Sequence, residues 1–354
     1  MPFPVPVSLL SPSLSSPTTD TQPTPGLAGR PVFTGETANL LPNPPTKLKV
    51  PESKLKHDTT KLTTDEAPKL STIEASKRLA AWTAVDRHVR SEHKVIGIGS
   101  GSTVPYVVER IVAQGREANR DRVFIPTGFQ SKELIVKGNL LLGDVDQYPR
   151  IDVTVDGADE VDGDLNCIKG GGACHLREKV LAEAADTFIV VADYRKNSGV
   201  LGSTYKAGVP IEVAPFAYAK VLQNLHAIGS PDASLRMAQK KAGPVVSDNG
   251  NFIIDAPFPE EDMADPYTLL TKLKMFTGVV EVGLFCHMAK AAYFGNQDGS
   301  VSVRWLDGRK ELLDSRATPM LPARNSLDEE KDPLDEATKG NGFGVNGLEP
   351  ENHA

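Results

Sequence analysis

The sequence predicts an α/β protein in which a parallel-sheet part is followed by a smaller α+β part. Three observations predict this. Short strand-type runs at 94–98, 123–125, 152–155 and 188–192 alternate with stretches of helical spacing. Glycine-rich loops lead into helices at Gly99–Thr103 and again at Gly170–Gly172. That arrangement offers backbone N–H groups and the positive end of a helix to an anion. From about residue 209 the pattern becomes β-α-β-β-α-β, a split βαβ unit of ferredoxin type.

In chain order, residues 1–68 are rich in Pro, Ser and Thr and have no sustained period, so a disordered tail is expected. With no basic start and almost no Arg, the segment reads as neither a signal nor a transit peptide. Ser71-Thr72-Ile73-Glu74 is a capping box. It opens a helix on Ala75, Leu79, Trp82, Val85 and Val89, with Lys77 near its start. Strand 94–98 then runs into Gly99-Ser100-Gly101-Ser102-Thr103, and Val104, Val107, Val108 and Ile111 continue as a helix ending at Gly115. This loop lacks the third glycine of a dinucleotide fingerprint and the GK[ST] ending of a nucleotide loop. Its hydroxyls suit a sugar phosphate. Strand 123–125 is followed by a polar turn and a helix over 131–137, closed by Gly138.

The stretch 152–196 carries the densest chemistry. Strand 152–155 ends on Asp156, with Asp159 and Glu160 in the turn beyond. Lys169 precedes three consecutive glycines, and Glu178 falls near the start of the helix after them, whose apolar face is Val180, Leu181, Ala184 and Ala185. Strand 188–192 leads to Lys196. Carboxylates and ammonium groups thus gather where strands end and helices begin, the ligand crevice of α/β folds. Farther on come strand 209–213, helix 215–225, a short strand near Leu235, and runs 245–246 and 252–255 flanking the turn Asp248-Asn249-Gly250. Helix 266–275 and strand 279–285 complete that unit, and a hairpin of 291–294 and 301–305 returns to the first sheet. Beyond about 315 an acidic, Gly-rich second disordered tail is expected.

Composition narrows the function. The chain has 354 residues, 40% apolar, and a net charge of −7 from 39 basic and 46 acidic residues. That balance disfavours nucleic acid and anionic membrane as main partners. No apolar run approaches a membrane span. Cys167, Cys174 and Cys286 show no CxxC pairing, and the seven histidines include no HxxxH or HExxH. Neither a disulfide framework nor a metal site is expected, and the reading is a cytoplasmic protein needing no cofactor.

The motifs GIGSGST (97–103), DGADE (156–160), KGGG (169–172), REK (177–179) and ADYRK (192–196) occur in that order, followed by AGPVVSDNGN (242–251) and GVVEVGLF (278–285). Over roughly 77–305 the chain resembles the A-type ribose-5-phosphate isomerases. The resemblance implies a Rossmann-like domain over 69–208, completed by 285–314, with an inserted ferredoxin-like domain over 209–284. It implies metal-free interconversion of ribose 5-phosphate and ribulose 5-phosphate, and a homodimer or dimer of dimers. It implies Glu178 as general base, with Asp156, Asp159 and Lys169 as catalytic partners. Ser100, Gly101, Ser102, Thr103, Gly157, Ala158, Gly170, Gly171, Gly172, Lys196 and Lys77 are the implied substrate contacts. Cys174 and His175, and the long N-terminal extension, are departures from the family pattern.

The chemistry agrees with the resemblance. Aldose–ketose isomerisation needs one base that reaches C1 and C2 and a group that stabilises an enediolate oxygen. The alternative is a non-catalytic sugar-phosphate-binding regulator of the same fold. A regulator has no need of an Asp, Lys and Glu set, and the Pro-rich tail stands where a DNA-binding segment belongs.

Overall fold

The computed structural model of the chain describes residues 70–314, so the tails expected at 1–68 and 315–354 lie outside the described residues. Eight strands form one sheet in the order Lys310–Asp314, Ser300–Trp305, Ala291–Gly295, Ala185–Asp193, Ile151–Asp156, Val95–Ile98, Val123–Pro126 and Leu141–Leu142. Every neighbouring pair from Ala291–Gly295 to Leu141–Leu142 is parallel, and the pairs at the other edge are antiparallel. The fold is thus mixed α/β with a parallel-dominated sheet. Strands in such a sheet are covered on both faces. On Ile151–Asp156, Val153 and Val155 are fully buried, and so are Thr154 and Asp156 on the opposite face.

The helix Thr72–His88 packs on strands Ala185–Asp193 and Ala291–Gly295. Its inward residues are Ala80, Ala81, Ala84 and Val85, small enough for the helix to lie close to the sheet. At Gly295 a Cβ would stand 1.9 Å from the Ser76 carbonyl, so the approach requires glycine. Ser71 caps this helix by accepting the Glu74 N–H at 3.3 Å. Glu74 does not complete the expected capping box. Its carboxylate takes the Lys77 ammonium at 2.7 Å and the Tyr106 hydroxyl at 2.7 Å, a charge-assisted pairing that outcompetes one backbone N–H.

A second sheet is ordered Val279–Val282, Val209–Val213, Phe252–Ala256, Ser234–Leu235, all antiparallel. Helices Tyr218–Ala227 and Pro266–Lys274 contribute Val221, Leu225, Leu269 and Leu273 to its core, against Ile211, Val213 and Ile254. Each such fully buried side chain contributes about 1.5–3 kcal/mol. The run at 245–246 forms only one bridge, Val246 to Phe252. The turn between them is fastened instead to buried Glu212, whose Oε1 accepts from Ser247 Oγ at 2.7 Å, Asn249 at 3.0 Å and Asn251 at 2.9 Å.

A third sheet, Leu284–Phe285, Cys167–Ile168 and Glu160–Val161, was not legible in the sequence, because two-residue strands show no period. The continuous strand expected over 279–285 is divided at Gly283. There a Cβ would meet the Lys169 carbonyl at 2.2 Å. The Lys169 N–H donates to the Gly283 carbonyl at 2.9 Å. Gly283 hands the chain from the second sheet to the third and fixes the backbone of Lys169.

Candidate active site

The site forms at the carboxyl ends of three adjacent parallel strands, where ligand crevices of open α/β sheets lie. Val95–Ile98 delivers the loop Gly99–Thr103, Ile151–Asp156 delivers Gly157, Ala158 and Asp159, and Ala185–Asp193 delivers Arg195 and Lys196. A cavity of about 170 Å³ opens between them. Ser100, Gly101, Ser102, Thr103, Gly157, Ala158, Asp159, Lys169, Gly170, Gly171, Gly172, Glu178 and Lys196, all expected from sequence, line it.

Two expected residues lie elsewhere. Asp156 has no exposed surface and sits behind the cavity wall, with its Oδ2 2.9 Å from Lys169 Nζ. Its Oδ1 accepts the Ser100 N–H at 2.9 Å and the Gly157 N–H at 2.7 Å, tying two strand-end loops together. Lys77 is buried against Glu74 and is absent from the cavity lining. Asp193 and Arg195 line the cavity but were not singled out. They were detectable, since both fall inside the ADYRK motif.

Lys169 is the hub. Its ammonium lies 2.9 Å from Asp156 and 3.2 Å from Glu178 Oε2, and it donates to the Gly157 carbonyl at 2.5 Å. Burial opposes the lysine's charge, but Asp156 and Glu178 outweigh it and hold the ammonium above its ordinary pKa. Burial pushes the Asp156 carboxyl upward, Glu178 adds to the rise, and Lys169 opposes it. Burial also raises Asp159, against the pull of the Gly171 N–H and Lys169. Glu178 lies in the first turn of the helix His175–Ala184, and its Oε1 accepts from the Ser100 hydroxyl.

The glycine loop is bound on several sides. The Gly171 N–H donates to Asp159 Oδ2 at 2.7 Å, and the Ala173 N–H donates to the Gly170 carbonyl at 3.0 Å. Ala173 adopts φ +61°, a strained conformation for a residue with a Cβ. His175 is fully buried beneath the loop, and burial lowers its pKa to about 3, so it stays neutral. Cys174 is a poor nucleophile, its thiol pushed up to about 12 by burial and then by Glu178. Among the described residues no group of three or more His, Cys, Asp or Glu is arranged to hold a metal ion. The cation between Asp156 and Glu178 is Lys169 itself.

These features define an α/β protein with an acid–base site for a small anionic ligand. Residues 123–299 match the family described as ribose 5-phosphate isomerase A (phosphoriboisomerase A). A ribose-5-phosphate isomerase of Cryptococcus neoformans var. neoformans is 74% identical over 249 residues, covering 68% of this chain and 82% of that protein. That of Schizosaccharomyces pombe is 55% identical over 260 residues, 73% of this chain and 92% of that protein. A D-ribose-5-phosphate isomerase solved with phospho-erythronic acid superposes with a TM-score of 0.60 at 37% identity, covering 68% of this chain and 99% of that one. The chain belongs to the ribose 5-phosphate isomerase A family.

Proposed function

We propose that Glu178 is the base that carries the proton between C2 and C1 of the sugar phosphate, with Lys169 stabilising the enediolate oxygen. The reaction is that of the family: the enzyme is an isomerase that interconverts ribose 5-phosphate and ribulose 5-phosphate. The observation that carries the assignment is the Glu178 carboxylate itself. It borders the cavity while 4% exposed, with an ammonium 3.2 Å away. A base shielded from water can accept a proton from one carbon and return it to the next before solvent exchanges it. Lys169 is fixed before reaction by Asp156 and the Gly157 carbonyl, so little reorganisation is needed when charge develops; one such contact contributes about 3 kcal/mol.

Ring opening needs a proton shuttle at the sugar. Asp159 is assigned that work, because its carboxyl borders the cavity and burial raises its pKa towards that of a group able to exchange protons. Asp156 supports Lys169 from behind. Ser100 to Thr103, at the start of the helix Val104–Ala113, hold the phosphate together with Lys196. The related protein's complex with phospho-erythronic acid supports a phosphorylated sugar-type ligand here.

The second sheet, with its split βαβ order, is read as a ferredoxin-type domain over 209–284 inserted into a Rossmann-like domain of 69–208 and 285–314. A homodimer or dimer of dimers in the cytoplasm is the proposed setting.

Glu178→Gln keeps the shape and removes the base. Sugar-phosphate binding should stay near normal while kcat falls at least ~100-fold, and exchange of the C2 hydrogen with deuterated solvent should be lost. Wild-type exchange in that variant would remove Glu178 from the role.

A further inference from the structure

We propose that Arg236 is a positioning residue for the isomerisation: braced by Asp255, its guanidinium turns two successive peptides of the glycine loop so that their N–H groups face the cavity. The proposal rests on the isomerase reading of this site and adds the loop amides to Lys169 as donors to the enediolate oxygen.

Arg236 follows the edge strand Ser234–Leu235 of the second sheet and is held there on both sides. Its N–H donates to the Ile253 carbonyl at 2.8 Å, and its own carbonyl accepts the Val245 N–H at 2.8 Å. Its side chain is only 16% exposed. Nε and Nη2 donate to the two oxygens of Asp255, at 2.8 and 2.5 Å. Held in that fork, Nη1 donates to the Gly170 carbonyl at 2.9 Å and to the Gly171 carbonyl at 3.1 Å. Arg236 does not border the cavity; it acts from the far side of the loop.

In a trans peptide the C=O and the following N–H point opposite ways. With the Gly170 carbonyl on Arg236, the Gly171 N–H points away from it and meets Asp159 at 2.7 Å. Asp159 borders the cavity, so that side of the loop is the cavity side. The next peptide is held the same way through its Gly171 carbonyl, which sends the Gly172 N–H to the same side. Gly172 also borders the cavity. From below, the His175 ring closes off the loop: a Cβ on Gly170 would meet its Nδ1 at 2.6 Å. Arg236, Asp159 and His175 thus fix three glycines that would otherwise sample many conformations. The amide of Gly172 is left aimed at the ligand. Fixed donors of this kind favour the transition state because they need no reorganisation. A lysine cannot substitute, since a point charge cannot fork to a carboxylate and bridge two carbonyls together.

The test uses the full chain. Arg236→Met combined with Asp255→Asn removes the guanidinium without stranding a carboxylate. Arg236→Lys, which keeps a cation beside Asp255, serves if the double variant does not fold. Each should be folded by circular dichroism, with KM little changed and kcat lowered about 10²-fold by misplaced donors. Guanidinium ion at sub-denaturing concentration should restore part of kcat to Arg236→Ala. Wild-type kcat in a folded variant, or a loss carried by KM alone, would overturn the proposal. Glu178→Gln run alongside separates the two readings. Loss of activity there with full activity in the Arg236 variants sinks only the positioning role, whereas full activity in Glu178→Gln sinks the reading of the site.

Discussion

The Lys169 ammonium lies 2.9 Å from the Asp156 carboxylate, and neither side chain is more than 2% exposed. A buried pair of this kind costs desolvation on both partners, so its strength shows mainly when one partner is removed. Lys169→Met leaves Asp156 and Glu178 facing each other uncompensated. It should destabilise the fold by about 3–5 kcal/mol and abolish most turnover. Adding Asp156→Asn should recover part of the stability and none of the activity. Urea unfolding of the single and double variants reads the first, and initial rates read the second.

Lys196 borders the cavity near the start of the loop after Ala185–Asp193. A phosphate contact is present in both the ground and transition states, so its loss lowers affinity rather than the chemical step. Lys196→Ala should therefore raise KM and leave kcat nearly intact, the opposite of Glu178→Gln. Matching kinetic profiles in the two variants would refute this division.

Asp159 should give the fold a distinct pH signature. Its folded pKa is raised above the ordinary 3.8, chiefly by burial. Below that ordinary value both states are protonated. As pH rises past it, the unfolded chain ionises first and the folded state loses relative stability. Asp159→Asn cannot titrate. Its stability relative to wild type should therefore increase as pH rises above about 4, until the folded-state carboxyl has ionised as well, read from urea midpoints at successive pH values. A difference independent of pH would mean that the carboxyl is not raised.

All the residues assigned to chemistry or phosphate binding fall between Ser100 and Lys196, well inside the described region. A chain trimmed to 69–314 should keep wild-type kcat and KM. A folded but inactive trimmed chain would show that a terminal segment completes the site.

Much of the site was legible because its residues are local in sequence. DGADE, KGGG, REK and ADYRK all lie within 156–196. Strand-to-helix turns need glycine and place polar side chains at strand ends whatever the rest of the chain does. The alternation of strand and helix patterns likewise determined the mixed α/β class, since period is a property of consecutive residues.

Tertiary packing decided the rest. Asp156 and Asp159 look equivalent in the motif, yet they stand at the end of a strand and in the turn beyond it. Only the layers above and below made one a fully buried brace for Lys169 and the other a wall of the cavity. Lys77 reads as a free cation until Glu74 and Tyr106 close around that end of the helix. Gly283 reads as mid-strand until the Lys169 backbone passes within 2.2 Å of where its Cβ would be. Arg236 reaches the glycine loop from another sheet, 66 residues away in sequence. Such contacts depend on how separate sheets pack, and that has no local period, cap or turn to announce it. The sequence alone determined which polar groups gather at the strand ends; the packing of its sheets decided which of them face the cavity and which hold the others in place.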